Sequence, residues 1–157
     1  MYKKEDEYNI RLSYKAMSYH LSSQTTVSRE KFSKEAWTKL LSLAISYGWQ
    51  PMGTLPPSRI ELYGMEPEDW DGVYLTNDGQ TVTAEDAWAL AVALEKSLDD
   101  IPDFNIELGW GAKSRKKDDQ TDLKDVHPFE YFAGDEKLHV IEFIKFCRLG
   151  SFIILRI

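Results

Sequence analysis

Cysteine is all but absent from this chain: Cys147 is alone among 157 residues. No disulfide can close within it, and a reducing compartment is the expectation. Histidine is also scarce, with only His20, His127 and His139. No Gly-x-Gly-x-x-Gly, P-loop, Gly-x-Ser-x-Gly or His-Glu-x-x-His motif occurs, so the common signatures of nucleotide, acyl-transfer and zinc chemistry are missing. Nor does any apolar run approach the roughly eighteen residues that cross a bilayer. The opening MYKKEDEYNI mixes charges and lacks an apolar core, which argues against a secretory signal. The expected location is the cytoplasm, with no membrane partner.

Basic charge is in deficit. The 26 acidic side chains outnumber the 19 basic ones, for a formal charge of −7. Such a surface repels phosphate backbones and makes nucleic acid an unfavourable partner, whereas a basic protein would be attracted. A composition 43% hydrophobic and 29% charged is that of a globular protein rather than a disordered one. The length suits one domain, read as spanning 1–157. The five Trp, eight Tyr and seven Phe are read mainly as core.

The clearest structural signal runs from Trp70 to Leu98. Asn77-Asp78-Gly79 is a turn sequence, and it predicts a short hairpin with arms at Val73–Thr76 and Gln80–Val82. Thr83 then caps a helix, with Asp86 placed to reach back as in a capping box. Ala87, Leu90, Ala91, Leu94 and Leu98 form its apolar face, and Pro102 limits it at about Asp99. Upstream, Ser33 is the expected N-cap of a helix over Lys34–Tyr47, with Trp37, Leu40, Leu41 and Ala44 on one face and Gly48 as its stop. The intervening QPMGTLPP cannot be helical, with three prolines and a glycine in eight residues. Glu66–Asp71 reads as an acidic turn. Near the end, Glu136–Leu149 is predicted helical, carrying Leu138, Ile141 and Ile144. Gly150 stops it, and Phe152–Ile157 is a predicted buried strand. At the other end, Tyr8, Ile10, Leu12 and Tyr14 alternate with polar residues as a strand does, although Met17-Ser18-Tyr19 could itself be a start of translation. The opposed charge blocks between 105 and 126 read as a mobile surface excursion.

Chemistry is hard to find in this layout. Glu136-x-x-His139 is half of a di-iron motif and lacks its second copy. His139 and Cys147 lie eight residues apart on one helix, roughly 12 Å along its axis, too far to hydrogen bond. The acidic group Glu66, Glu68, Asp69, Asp71 and Asp78 does not fit an EF-hand. With Gly72 at position 6, Pro67 falls at position 1 and Asp78 at position 12. No cofactor, metal or catalytic residue is assigned.

The pattern W-x-G-x-Y-x-x-N-D-G-Q-x-V-x-x-x-D-A-x-x-L-A-x-A-L-E, from Trp70 to Glu95, is similar to one in a family of small bacterial proteins of unknown function. The closing F-I-x-F-C-R-x-G-x-F-x-I, from Phe143 to Ile154, is similar as well. That resemblance carries no activity or ligand over to this chain. Within the pattern, Gln80 and Arg148 are polar residues without an evident folding role. Arg148 is read either as complementing its helix dipole or as meeting an acidic ligand or the Glu66–Asp71 turn.

The fold class read from these features is α+β, a single domain with two or three main helices packed on a small sheet. The leading functional expectation is a noncatalytic bacterial binding or interaction protein, of which an antitoxin or immunity protein is one type. The alternative is a small enzyme or ligand-binding domain with a carboxylate-lined pocket near Trp70–Asp78. The expected ligand or partner surface comprises Glu68, Asp69, Trp70, Asp71, Gln80 and Arg148.

Overall fold

In the computed structural model, residues 18–104 and 127–156 are described. The predicted strand at Tyr8–Lys15 and the excursion at 105–126 lie outside them. Four strands form one antiparallel sheet: β1 (Ser18–Ser23), β2 (Arg29–Ser33), β3 (Gln80–Val82) and β4 (Phe152–Leu155), in the order β2-β1-β4-β3. The α-helices among the described residues are α1 (Lys34–Ser46), α2 (Ala84–Ser97), the single turn α3 (Pro128–Tyr131) and α4 (Asp135–Cys147). The α+β single-domain reading holds.

Period-two patterning in the strands gives the sheet one buried face. Leu21 pairs with Glu30 on one side and Ile154 on the other. Tyr19, Leu21, Phe32, Val82, Phe152 and Ile154 turn inward and are fully or nearly fully buried. They meet Trp37, Leu40, Leu90, Leu94 and Phe143 from the helices in one core. Phe143 packs edge-on against both Trp37 and Phe152, with ring centroids 5.8 and 6.1 Å apart. Each such buried aromatic contributes about 1.5–3 kcal/mol. Ile153 and Leu155 alternate to the far face and are half-buried, so the closing strand is buried on one side only.

Local signals placed the helix ends to within two residues. Ser33 accepts a hydrogen bond from the Ala36 amide and Thr83 from the Asp86 amide. Gly48 follows α1 with φ +101° and Gly150 follows α4 with φ +121°, a region that glycine enters freely. The apolar face of α4 needs correction. Val140, Phe143, Ile144 and Cys147 are buried, whereas Leu138 is 60% exposed.

The predicted hairpin is overturned. β3 forms as expected, but it pairs with β4, and its outer edge is bridged by Leu55 through two backbone hydrogen bonds to Thr81. Val73–Thr76 forms no strand, for a reason that shapes the site below.

Candidate functional site

Four consecutive backbone carbonyls, from Val73 to Thr76, are claimed by side chains. Thr54 Oγ1 donates to Val73 O at 2.7 Å and Trp37 Nε1 to Tyr74 O at 2.9 Å. Tyr19 OH donates to Leu75 O at 2.9 Å and Gln80 Nε2 to Thr76 O at 2.8 Å. With these acceptors satisfied by side chains, the segment has no need of a strand partner. The same bonds hold the backbone against the domain and leave Val73 and Leu75 on the outside, 36% and 49% exposed. The turn is tight where Gly72 passes Gly53. A Cβ on Gly72 would meet Gly53 Cα at 3.1 Å, and its φ is +72°.

Behind this wall lies a buried polar knot. Asp86, fully buried on α2, accepts from Trp49 Nε1 at 2.9 Å and from the Tyr74 hydroxyl. That hydroxyl accepts in turn from the Gly53 amide at 2.9 Å. Burial and the Asp86 carboxylate push the Tyr74 phenol well above its ordinary value, so it stays a donor. Thr83 therefore caps α2 without a reciprocal Asp86 bond being needed: the carboxylate expected to complete a capping box is committed to Trp49 and Tyr74.

In front of the wall is a groove. Leu41, Ser42 and Ile45 of α1, Trp49 and Pro51 beyond its end, and Val73–Leu75 line a cavity of about 500 Å³. A second hollow of about 350 Å³, lined by Lys34, Glu35, Lys39 and Pro128, shares Thr38 and Ser42 with it and prolongs it along α1. Ile45 is 54% exposed. The polar end of Tyr74 is turned inward onto Asp86, and the groove itself offers the hydroxyls of Thr38, Ser42 and Ser46, the last donating to Ser42 O. Such a lining supplies apolar contact and hydrogen bonds rather than acid–base groups.

Of the residues expected to form a single surface, Gln80 and Arg148 do not join the Glu68–Asp71 stretch. Glu68, Asp69 and Asp71 are exposed, with Glu68 and Asp69 in a 3-10 turn at Pro67–Asp69. Trp70 is half-buried and donates its indole N–H to Thr54 O and Oγ1 at 3.1 and 3.0 Å. Gln80 is fully buried and does have a folding role. Its amide bonds Thr76 O and Val73 O, while its Oε1 accepts from the Asp78 amide. Arg148 does not meet the acidic turn. It forms a two-pronged pair with Glu95 at 2.6 and 3.3 Å, its guanidinium 5.1 Å from the Trp88 ring centroid. The cavity beside the Asn77–Gly79 turn, about 270 Å³, is lined by Pro57, Ser58, Arg59, Leu62, Tyr63, Asp78 and Gly79, so Asp78 is the one carboxylate on its wall.

The remaining chemical candidates pack against the core. His139 stacks on Phe32 with centroids 4.1 Å apart, its Nε2 3.6 Å from Glu30. Cys147 is buried, which raises its thiol well above the ordinary value. Among the described residues, no group of three or more His, Cys, Asp or Glu side chains is placed to hold a metal ion. Nor is any described helix long and apolar enough to cross a membrane.

A charge signal was present in the sequence and marks the groove's surroundings. No Lys, Arg or His occurs between Arg59 and Lys96. That interval holds Glu61, Glu66, Glu68, Asp69, Asp71, Asp78, Glu85, Asp86 and Glu95. The acidity of the whole chain is thus concentrated in the stretch that supplies the wall at Val73–Leu75. Comparison of the chain with profiles of known families, with curated proteins and with solved structures finds no match.

Proposed function

We propose that this chain is a noncatalytic protein-interaction domain that receives an apolar segment of a partner in the groove between α1 and Val73–Leu75. One observation carries the reading. Val73 and Leu75 are held exposed by a backbone whose carbonyls are fixed from behind, and with the exposed Ile45 of α1 they line a 500 Å³ cavity. Preorganisation of this kind lowers the entropic cost of binding. Exposed apolar side chains gathered round a concavity are a recurrent mark of interaction sites. An antitoxin or immunity protein of the cytoplasm, kin to the small bacterial family its motifs resemble, fits such a role, and the acidic surface favours a protein over nucleic acid.

The test is site-specific photo-crosslinking in the native host. A photoreactive phenylalanine at Ile45 is expected to trap a discrete protein. The same group at Leu138, exposed on α4, serves as the control. Adducts that are identical at both positions, or absent at Ile45, defeat the proposal.

A further inference from the structure

Resting on that reading, we propose the class of partner segment: a basic amphipathic helix, its apolar side chains in the groove and its Lys or Arg side chains over the acidic turn. Two arrangements on the molecule lead there. The groove wall and the acidic turn are one continuous piece of chain. Asp71 is two residues from Val73 and Glu68 is five, which at full extension places them within about 7 and 18 Å of it. A helix of about twelve residues is itself some 18 Å long, long enough to span from the groove to carboxylates held within that distance of Val73.

The second arrangement is the charge on the chain segments that flank the groove. On the Val73 side the exposed charges nearest in the chain are Glu66, Glu68, Asp69 and Asp71, with no basic residue from 60 to 95. On the α1 side the adjoining hollow carries Lys34 and Lys39 beside Glu35. An occupant with cations on the Val73 side is matched, and one with anions there is repelled. Apolar anchors at i, i+3 and i+4 on a helix suit an apolar groove, and the flanking charges set its direction.

The experiment uses the full chain and a designed peptide. An amphipathic leucine–lysine helix of about eighteen residues is compared with a scrambled peptide of the same composition and with its leucine–glutamate counterpart. Binding is followed by fluorescence anisotropy across a salt series. The helix is expected to bind and to weaken as salt rises. Ile45→Asp and Leu75→Asp are each expected to weaken it about tenfold or more, as loss of a central apolar anchor does. Glu68→Lys combined with Asp71→Lys removes the carboxylates while sparing Asp69, whose Oδ2 accepts from the Glu66 amide within its own turn. That pair is expected to weaken binding by a similar factor, mainly through the association rate. All three variants alter exposed residues, and an unchanged thermal midpoint confirms that each is folded.

Equal binding of the scrambled or glutamate peptide overturns the inference, as does indifference to the charge reversals. So does failure of every peptide to bind. Self-association abolished by Ile45→Asp, seen by sedimentation, would make a second copy the occupant and overturn it too. None of these results removes a protein crosslinked at Ile45 in the host, so the two readings fail separately.

Discussion

Helix α2 carries two carboxylates that keep similar company and have opposite consequences. Asp86 and Glu95 are nine residues apart, which at about 100° per residue sets them on opposite sides of the helix. Each is bonded to a donor beside an indole. Asp86 takes the Trp49 N–H and the Tyr74 hydroxyl in the interior. Glu95 takes two bonds from Arg148, which rests over Trp88 at the surface. Asp86 is fully buried, whereas the Glu95 side chain is 53% exposed. Water competes for every bond at Glu95 and for none at Asp86, so burial rather than bond count decides which cluster holds the fold.

Removing Asp86 should therefore have the largest effect. Asp86→Ala leaves the Trp49 N–H and the Tyr74 hydroxyl without their acceptor in the interior, at a cost of about 3 to 4 kcal/mol. Urea unfolding measures it. Because Tyr74 lines the groove, peptide binding should fall with it even in the fraction that remains folded. A loss as small as that at an exposed cap would mean that water has entered and taken over the two donors.

Gln80→Ala should come next, at about 2 to 3 kcal/mol, since the Thr76 carbonyl and the Asp78 amide both lose their partner. The variant also tests the origin of the groove wall. Amide exchange over residues 73–78 should accelerate more than exchange in α2. Uniform acceleration would mean that Gln80 supports the whole domain rather than this segment.

These two residues also show where the sequence could be read and where it could not. Ser33, Thr83, Gly48 and Gly150 mark helix ends through contacts three or four residues away, and such contacts are visible in a local window. The α+β layout followed from them. Asn77-Asp78-Gly79 has sound local turn chemistry, yet the hairpin failed because the neighbouring carbonyls are satisfied from Trp37 and Tyr19, 37 and 56 residues distant. Asp86 looked like a capping-box partner because its true donor, Trp49, lies 37 residues upstream. Gln80 seemed idle for the opposite reason: its partners are near, but its full burial depends on β4 pairing beside it. The acidic turn was legible and the groove was not, since the groove's two sides meet only in the folded chain.

Thr83→Ala sits between the two carboxylates in expected size. It removes one bond to the Asp86 amide at a half-buried helix start, about 1 kcal/mol. A midpoint in urea lowered less than by Gln80→Ala, with an unchanged slope, is the expected result. A loss equal to that of Asp86→Ala would show that the cap and the buried knot act as one unit.

The smallest effect belongs to Glu95, and its pH dependence is the sharpest test of the comparison. The Arg148 guanidinium bonds Glu95 and holds its carboxyl below the ordinary value of 4.5. For a carboxylate lowered on folding, the stabilisation is fully present above the unfolded value and is lost as pH falls through the folded one. The wild-type thermal midpoint should then exceed that of Glu95→Gln slightly at neutral pH, with the gap closing in acid. Added salt should close it at neutral pH as well, because the pair faces solvent. A gap that survives both acid and salt would mean that Glu95 acts through packing against Trp88 and not through charge. The surface cluster would then resemble the buried one, and the contrast between the two sides of α2 would fail.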